Sequence, residues 1–81
     1  MYLEVITPDK KIFEGEVVSA TFPGTDGSFQ ILNNHAPLIS TCATGQVKVK
    51  TSSEEKCFTI DGGVVEVLKN KVVLLAEKVL A

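Results

Sequence analysis

Short segments in which apolar and polar side chains alternate are the main feature of this sequence. In residues 46–50, Val47 and Val49 alternate with polar residues, so the valines face one way and the lysines the other. Residues 64–68 are more mixed, and residues 72–75 are apolar at every position. Alternation is typical of a half-buried strand, whereas a short continuous apolar run is typical of a central strand covered on both faces. The pattern predicts strands, with a doubly covered one at residues 72–75.

Turn-forming residues interrupt these segments about every ten residues. In residues 24–27 we expect a turn in which Gly27 supplies a positive φ. After Asp61, the pair Gly62 and Gly63 predicts a tight structural hairpin between two strands. The most helix-like composition, in residues 75–80, is too short for a stable helix. Strand-length runs at this spacing predict one all-β domain over residues 1–81, of sandwich or barrel type.

Composition and charge support this prediction and exclude some classes of partner. Val, Ile and Thr account for 23 of the 81 residues, which favours strands. The net charge is −2 and all eight basic residues are lysines. Nucleic-acid binders are strongly basic and use arginine for bidentate phosphate contacts, so we expect no nucleic-acid partner. Neither an apolar run long enough to span a membrane nor a signal peptide is visible in the sequence.

The two cysteines, Cys42 and Cys57, do not form a CxxC pair. One disulfide between them is possible, but because no signal peptide is visible, we expect a reducing compartment. We therefore expect two free thiols, each acting as a small buried hydrophobe.

The residues that could carry chemistry are few. The one histidine, His35, is either a general base or metal ligand, or a loop residue satisfied by backbone groups or a protein partner, and we favour the latter. The cysteines and His35 lack metal-ligand spacing, so no zinc site is predicted. The pair Glu54–Glu55 is interpreted as a solvated loop tip. These residues favour a binding or structural module over an enzyme, without naming its partner.

Three longer stretches resemble the epsilon-subunit family of F-type ATP synthases, whose mitochondrial counterpart is called delta: residues 22–39, residues 45–49, and residues 60–67 closing with residues 70–77. The most specific elements are Asn34-His35-Ala36-Pro37-Leu38 and Gly62-Gly63-x-x-Glu66-Val67, in this order. The resemblance covers the N-terminal sandwich domain of that family and nearly the whole chain. It implies a flattened sandwich of about ten short strands.

The resemblance also implies a role and contact residues. Members of the family join the gamma subunit to the ring of membrane c subunits in the central stalk, which rotates during proton-driven ATP synthesis. By this resemblance the turn of Thr25, Asp26, Gly27 and Ser28 is expected to face the c-ring. Thr7, His35 and Ser40 are expected to lie nearer gamma.

Several further expectations follow from the resemblance. Many members carry a C-terminal helical hairpin that inhibits ATP hydrolysis and in some bacteria binds ATP; this sequence ends at Ala81, so we expect neither the inhibitory arm nor ATP binding. We expect no cofactor, no metal and no catalysis by the subunit itself. The expected location is the cytoplasmic face of a bacterial inner membrane, held there only through the complex. The main alternative is a free-standing β-sandwich module that binds a small ligand or peptide.

Overall fold

The computed structural model describes residues 1–80, and Ala81, the last residue of the predicted domain, lies outside them. This described part contains seven strands and no helix. The strands are β1 (Tyr2–Ile6), β2 (Lys11–Glu16), β3 (Ser19–Phe22), β4 (Phe29–Leu32), β5 (Leu38–Lys50), β6 (Glu55–Leu68) and β7 (Lys71–Ala76). The all-β prediction is confirmed.

The seven strands form one sheet in the order β2-β1-β7-β6-β5-β3-β4, in which only β1 and β7 pair in parallel. Seven strands replace the expected ten or so because two strands are long: β5 has 13 residues and β6 has 14. Each long strand joins runs that the sequence pattern presents separately, since the turn-forming residues between the runs lie within the strand: Thr44 and Gly45 in β5, and Asp61 to Gly63 in β6.

Near the middle of β5 and β6, one pair of residues is missing from the ladder between the two strands, and its backbone groups bond to other segments instead. The β5–β6 ladder runs from Leu38 opposite Val67 to Cys42 opposite Gly63, and resumes at Thr44 opposite Asp61. At the missing pair, the Ala43 N–H donates to the Pro23 carbonyl at 2.7 Å, and the Gly62 carbonyl accepts from the Glu77 N–H at 3.2 Å. Ala43 and Gly62 thus mark the point where the sheet bends, which we call the fold point.

Burial changes phase at the fold point. In β5, Cys42 is buried before it, and Val47 and Val49 are buried after it. In β6, Ile60 is buried before it and Val65 after it. Because side chains alternate with a period of two, a change from even to odd buried positions means that each strand turns its other face inward. The two halves of the sheet can therefore enclose one core.

The core is a single cluster built from both halves of the sheet. Leu3 of β1 and Ile31 of β4 are both fully buried in it, although their strands are five steps apart in the sheet order. Five steps span roughly 24 Å in a flat sheet, so the sheet must close on itself within a molecule of 26 × 25 × 20 Å. The ring centroids of Phe22 and Phe29 lie 5.6 Å apart beside this core.

The predicted hairpin at Gly62 and Gly63 is wrong. Both glycines lie inside β6, and the β6–β7 hairpin is made instead by Lys69 and Asn70, at φ 49° and 60°. Gly62 has φ 82°, while a Cβ on Gly63 would lie 2.6 Å from the Leu75 carbonyl oxygen. The glycines are therefore required by the bend of a strand and by the close passage of β7, rather than by a turn.

Candidate partner-binding surface

The described residues contain no group of three or more His, Cys, Asp or Glu side chains that could hold a metal ion. They likewise include no helix long and apolar enough to cross a membrane. His35 is exposed, and its Nδ1 lies 2.7 Å from the Ala36 carbonyl oxygen. This contact matches the interpretation of His35 as a loop residue satisfied by the backbone.

A shallow cleft of about 440 Å³ brings several predicted contact residues together. It lies between the turn after β3 and the first half of β5. Its walls include Asp26, Gly27, Ser28, His35 and Ser40. Residues expected to face two different partners therefore line the same cleft.

The cleft holds an aspartate, a histidine and serines, the residue types of a hydrolytic triad, but their hydrogen bonds go elsewhere. The Ser40 hydroxyl donates to the Thr41 carbonyl at 3.4 Å, and the His35 ring contacts the Ala36 carbonyl. A triad needs the nucleophile bonded to the base and the base bonded to the acid. The arrangement of the described residues is therefore that of a polar surface.

The turn beside the cleft is well anchored. Gly27 has φ 124°, which confirms the predicted positive φ, and its N–H donates to the Gly24 carbonyl at 3.1 Å. The Thr25 hydroxyl lies 2.9 Å from the Thr41 hydroxyl of β5. These contacts hold Asp26 and Ser28 exposed at the tip of the turn.

Thr7 lies apart from the cleft, at the other end of a row of outward-facing residues. This row crosses four strands from Thr41 through Val64 and Leu75 to Ile6, the residue before Thr7. Three steps between strands correspond to roughly 14 Å. The row therefore separates Thr7 from Thr25, which contacts Thr41 at the opposite end.

The row belongs to an exposed apolar surface on this half of the sheet. Ile39 is 71% exposed, Leu75 53% and Leu68 52%. We call the surface formed by Ile6, Ile39, Val64, Leu68, Val73 and Leu75 the apolar face. The sequence already indicated apolar residues on both sides of β7, because residues 72–75 are apolar at every position and predict a strand covered on both faces. Within the described chain, only the inner side of β7 is covered by the core.

The outer surface of the other half of the sheet is different. Gln30, Thr21 and Lys48 lie side by side on β4, β3 and β5, and Ser19 lies between Lys50 and one exposed leucine, Leu32. We call this surface the polar face. Its composition is typical of a solvated sheet surface, so the two outer surfaces of the molecule are chemically unequal.

A charged network borders the apolar face along β1 and β2. The Lys11 ammonium lies 2.8 Å from a Glu4 carboxylate oxygen and 3.0 Å from one of Glu14, while Lys71 lies 3.8 Å from Glu4. The hydrogen bond from the Tyr2 hydroxyl, together with Lys11, lowers the pKa of Glu14, and the same bond raises the pKa of Tyr2. Hydrogen bonds to Glu4 and Glu14 raise the pKa of Lys11. The charges and hydrogen-bonding groups of this network are therefore paired within the chain.

The loop that carries His35 is anchored by a hydrogen bond from the N-terminus. The buried Met1 ammonium donates to the Asn33 side-chain oxygen at 3.1 Å and to the Val17 carbonyl at 3.2 Å. Asn34 has φ 62°, a conformation that asparagine tolerates better than most residues. The position of His35 is therefore set by its neighbours in the loop.

The cysteines are both free thiols, as expected, but only Cys42 is buried. Burial raises the pKa of the Cys42 thiol. The expectation of a buried Cys57 is wrong, because it lies opposite Lys48 on the polar face.

Comparison with known proteins identifies the family. A sequence model described as the ATP synthase delta/epsilon chain beta-sandwich domain matches residues 1–81. The chain belongs to the ATP synthase delta/epsilon chain family. The resemblance inferred from the sequence is confirmed, and the bent seven-stranded sheet is the form that the family's beta-sandwich domain takes in this chain.

Two bacterial members of the delta/epsilon family match along most of their length. The ATP synthase epsilon chain of Chlorobium limicola is 46% identical over 78 residues, which are 95% of this chain and 89% of that relative. The epsilon chain of Chlorobaculum tepidum is 44% identical over the same shares of both chains.

A solved structure gives the same fold. A chain in the cryo-EM structure of the Tetrahymena thermophila mitochondrial ATP synthase central stalk and c-ring aligns with a TM-score of 0.84. The alignment covers 98% of this chain and 64% of the Tetrahymena chain, with 23% identity.

Proposed function

We propose that the protein is a central-stalk rotor subunit of an F-type ATP synthase that joins the gamma subunit to the c-ring. The observation that carries this proposal is the 46% identity, over 95% of the chain, to a relative named ATP synthase epsilon chain. The shared fold with a chain of a central stalk and c-ring structure supports it. In this role the subunit transmits rotation between proton flow and the catalytic head.

The unequal outer surfaces support the proposal. Large contiguous apolar surfaces on a folded domain mark interaction sites. Leu75 and Ile39 are more than half exposed on the apolar face, whereas the polar face presents Lys48, Thr21 and Gln30. A stalk subunit needs one surface that stays attached to its partner while the complex turns, and the apolar face suits that contact with gamma.

The contact residues expected from the sequence keep their assignments within this proposal. The turn of Thr25, Asp26, Gly27 and Ser28 faces the polar loops of the c-ring, and Asp26 supplies its one charge. On the gamma side, Thr7 lines a hollow at the edge of the apolar face, while His35 and Ser40 line the cleft.

In the proposed role the subunit contributes to coupling rather than to catalysis or regulation. It carries out no substrate chemistry, takes no cofactor, and neither binds ATP nor inhibits hydrolysis as an 81-residue chain. It lies at the cytoplasmic face of a bacterial membrane and is held there through gamma and the c-ring.

Reconstitution tests the proposal. The 81-residue chain is added to a synthase depleted of the subunit, and we expect it to coelute with gamma and to restore ATP-driven proton pumping. Hydrolysis should not be inhibited, and calorimetric titration with ATP should show no sub-millimolar binding. Absence of a complex with gamma would refute the rotor role, whereas strong inhibition or tight ATP binding would refute the non-inhibitory role alone.

A further inference from the structure

Two hollows lie on the apolar face, on either side of the ridge formed by Val64 and Leu75. One has a volume of about 370 Å³ and is lined by Ile6, Thr7, Pro8, Leu75, Ala76 and Glu77. The other has a volume of about 380 Å³ and is lined by Pro37, Leu38, Ile39, Glu66, Val67 and Leu68.

Each hollow contains one charged group, and in both cases it is a carboxylate. Glu66 and Glu77 are exposed, and neither takes part in an ion pair within residues 1–80. Glu4, which lies two strands from Glu66 in the same row, differs because it contacts both Lys11 and Lys71. The face therefore has one region where charge is balanced within the chain and two places where it is not.

A partner that covers this face must deal with both carboxylates. Removing an ionised carboxylate from water without a compensating charge costs several kcal/mol, which is more than a small apolar contact recovers. Arginine and lysine side chains solve this problem, because their aliphatic stems pack on apolar walls while the cationic end reaches a carboxylate. A hollow lined by apolar residues and one glutamate fits such a side chain.

The spacing of the backbone positions of Glu66 and Glu77 follows from the sheet register, because the Glu77 N–H, one residue beyond β7, still donates to the Gly62 carbonyl of β6. Glu66 lies opposite Val73, so Glu77 is four residues further along the direction of β7 and one strand away. At about 3.3 Å per residue and 4.8 Å per strand, the two positions are roughly 14 Å apart.

We propose that the partner of the apolar face carries two cationic side chains, roughly 14 Å apart, which enter the two hollows and pair with Glu66 and Glu77. This inference rests on the proposed function, in which the partner is the gamma subunit. The apolar ridge supplies contact area, and the two ion pairs fix the orientation of the subunit on gamma and raise the rate of association.

Charge reversal tests this inference. Glu66→Lys, Glu77→Lys and the double variant are compared with Glu55→Lys, which reverses an exposed charge at the start of β6, away from the apolar face. Association and dissociation rates with purified gamma are measured at low and high salt. We expect each reversal to raise Kd about tenfold, mainly through slower association, and to flatten its salt dependence. The control should change Kd less than twofold, because a single exposed charge outside the contact contributes little.

The possible outcomes separate the inference from the proposed function. If the wild-type chain binds gamma and the double reversal binds equally well, the inference is wrong and the rotor role stands. If the wild-type chain does not bind gamma, both are wrong. Glu66→Gln and Glu77→Gln keep the side-chain size and remove only the charge, so they are the test variants to use if a reversal unfolds the domain. They should still reduce the salt dependence, and an unchanged salt dependence overturns the inference.

Discussion

Asn70 joins the β6–β7 hairpin to the loop before β5 through a hydrogen bond to Asn33, 37 residues away in the chain. The Asn70 side-chain nitrogen donates to the Asn33 side-chain oxygen at 2.9 Å, and the Asn70 side-chain oxygen accepts from the Asn34 N–H at 2.7 Å. Asn33 also accepts from the Met1 ammonium. One carboxamide therefore couples the central hairpin to the loop that positions His35.

Asn70→Ala is expected to destabilise the domain by about 1–3 kcal/mol, because it removes both hydrogen bonds and places alanine at a positive φ. Asn70→Gly is the matched control, since glycine accepts φ 60° but also lacks the carboxamide. Urea unfolding should rank wild type above the glycine variant and the glycine variant above alanine. Equal midpoints for all three would show that neither the hydrogen bonds nor the backbone conformation matters here.

Gly63→Ala is expected to cost about 1–3 kcal/mol more than Gly15→Ala. The two glycines have nearly the same φ, 157° and 159°, but different surroundings. A Cβ at Gly63 would meet the Leu75 carbonyl oxygen at 2.6 Å, whereas one at Gly15 would meet only Phe13, at 3.9 Å. Thermal unfolding of both variants measures the difference, and similar melting temperatures would contradict the proposed close passage of β7.

Leu75→Ser is expected to raise the Kd for gamma about tenfold, which corresponds to roughly 1.4 kcal/mol. Leu32→Ser is its control, because both leucines are 53% exposed but Leu32 lies on the polar side of the molecule. The two variants should lose similar, small amounts of stability. Equal losses of gamma binding would show that the apolar face has no special role.

Asp26→Lys is expected to weaken coupling to the c-ring modestly while leaving the fold intact. Asp26 is exposed at the tip of its turn, and single exposed charges contribute ~0–1 kcal/mol. ATP-driven proton pumping and circular dichroism are measured together, with Glu55→Lys as a control at an exposed position away from the apolar face and from the turn. An unfolded Asp26→Lys variant would show that the residue is structural.

The Tyr2–Glu14 contact predicts a pH dependence. The folded state lowers the pKa of Glu14 below its ordinary value, first through the Tyr2 hydrogen bond and then through Lys11. The contact therefore stabilises the fold above the unfolded-state pKa and is lost as the pH falls through the lower folded-state pKa. Unfolding free energy should fall less steeply below about pH 5 in Glu14→Gln than in wild type. Glu55→Gln should keep the wild-type slope, and identical slopes for all three proteins would rule out the contribution.

Local pattern was sufficient for those features that depend on neighbouring residues. Val47 and Val49 are buried and Lys48 and Lys50 exposed, as their alternation predicts, because a strand presents successive side chains to opposite faces whatever surrounds it. The turn at Gly27 was also predictable, because the preference of glycine for a positive φ in a turn is a local property of the backbone. Family membership followed from short motifs whose order can be read directly along the chain.

Contacts distant in sequence decided the rest. Gly62 and Gly63 have the composition of a hairpin, and only the passage of Leu75 beside Gly63 makes them part of a bent strand. Residues 72–75 predict a strand covered twice, but which side stays open depends on how the two halves of the sheet close over the core. Thr7 likewise lies three strand steps from Thr41, a separation set by pairing between β1, β7, β6 and β5. Sequence determined the strand-forming runs and the family, while long-range pairing determined which runs join into one strand, the bend, the apolar face and the carboxylates within it.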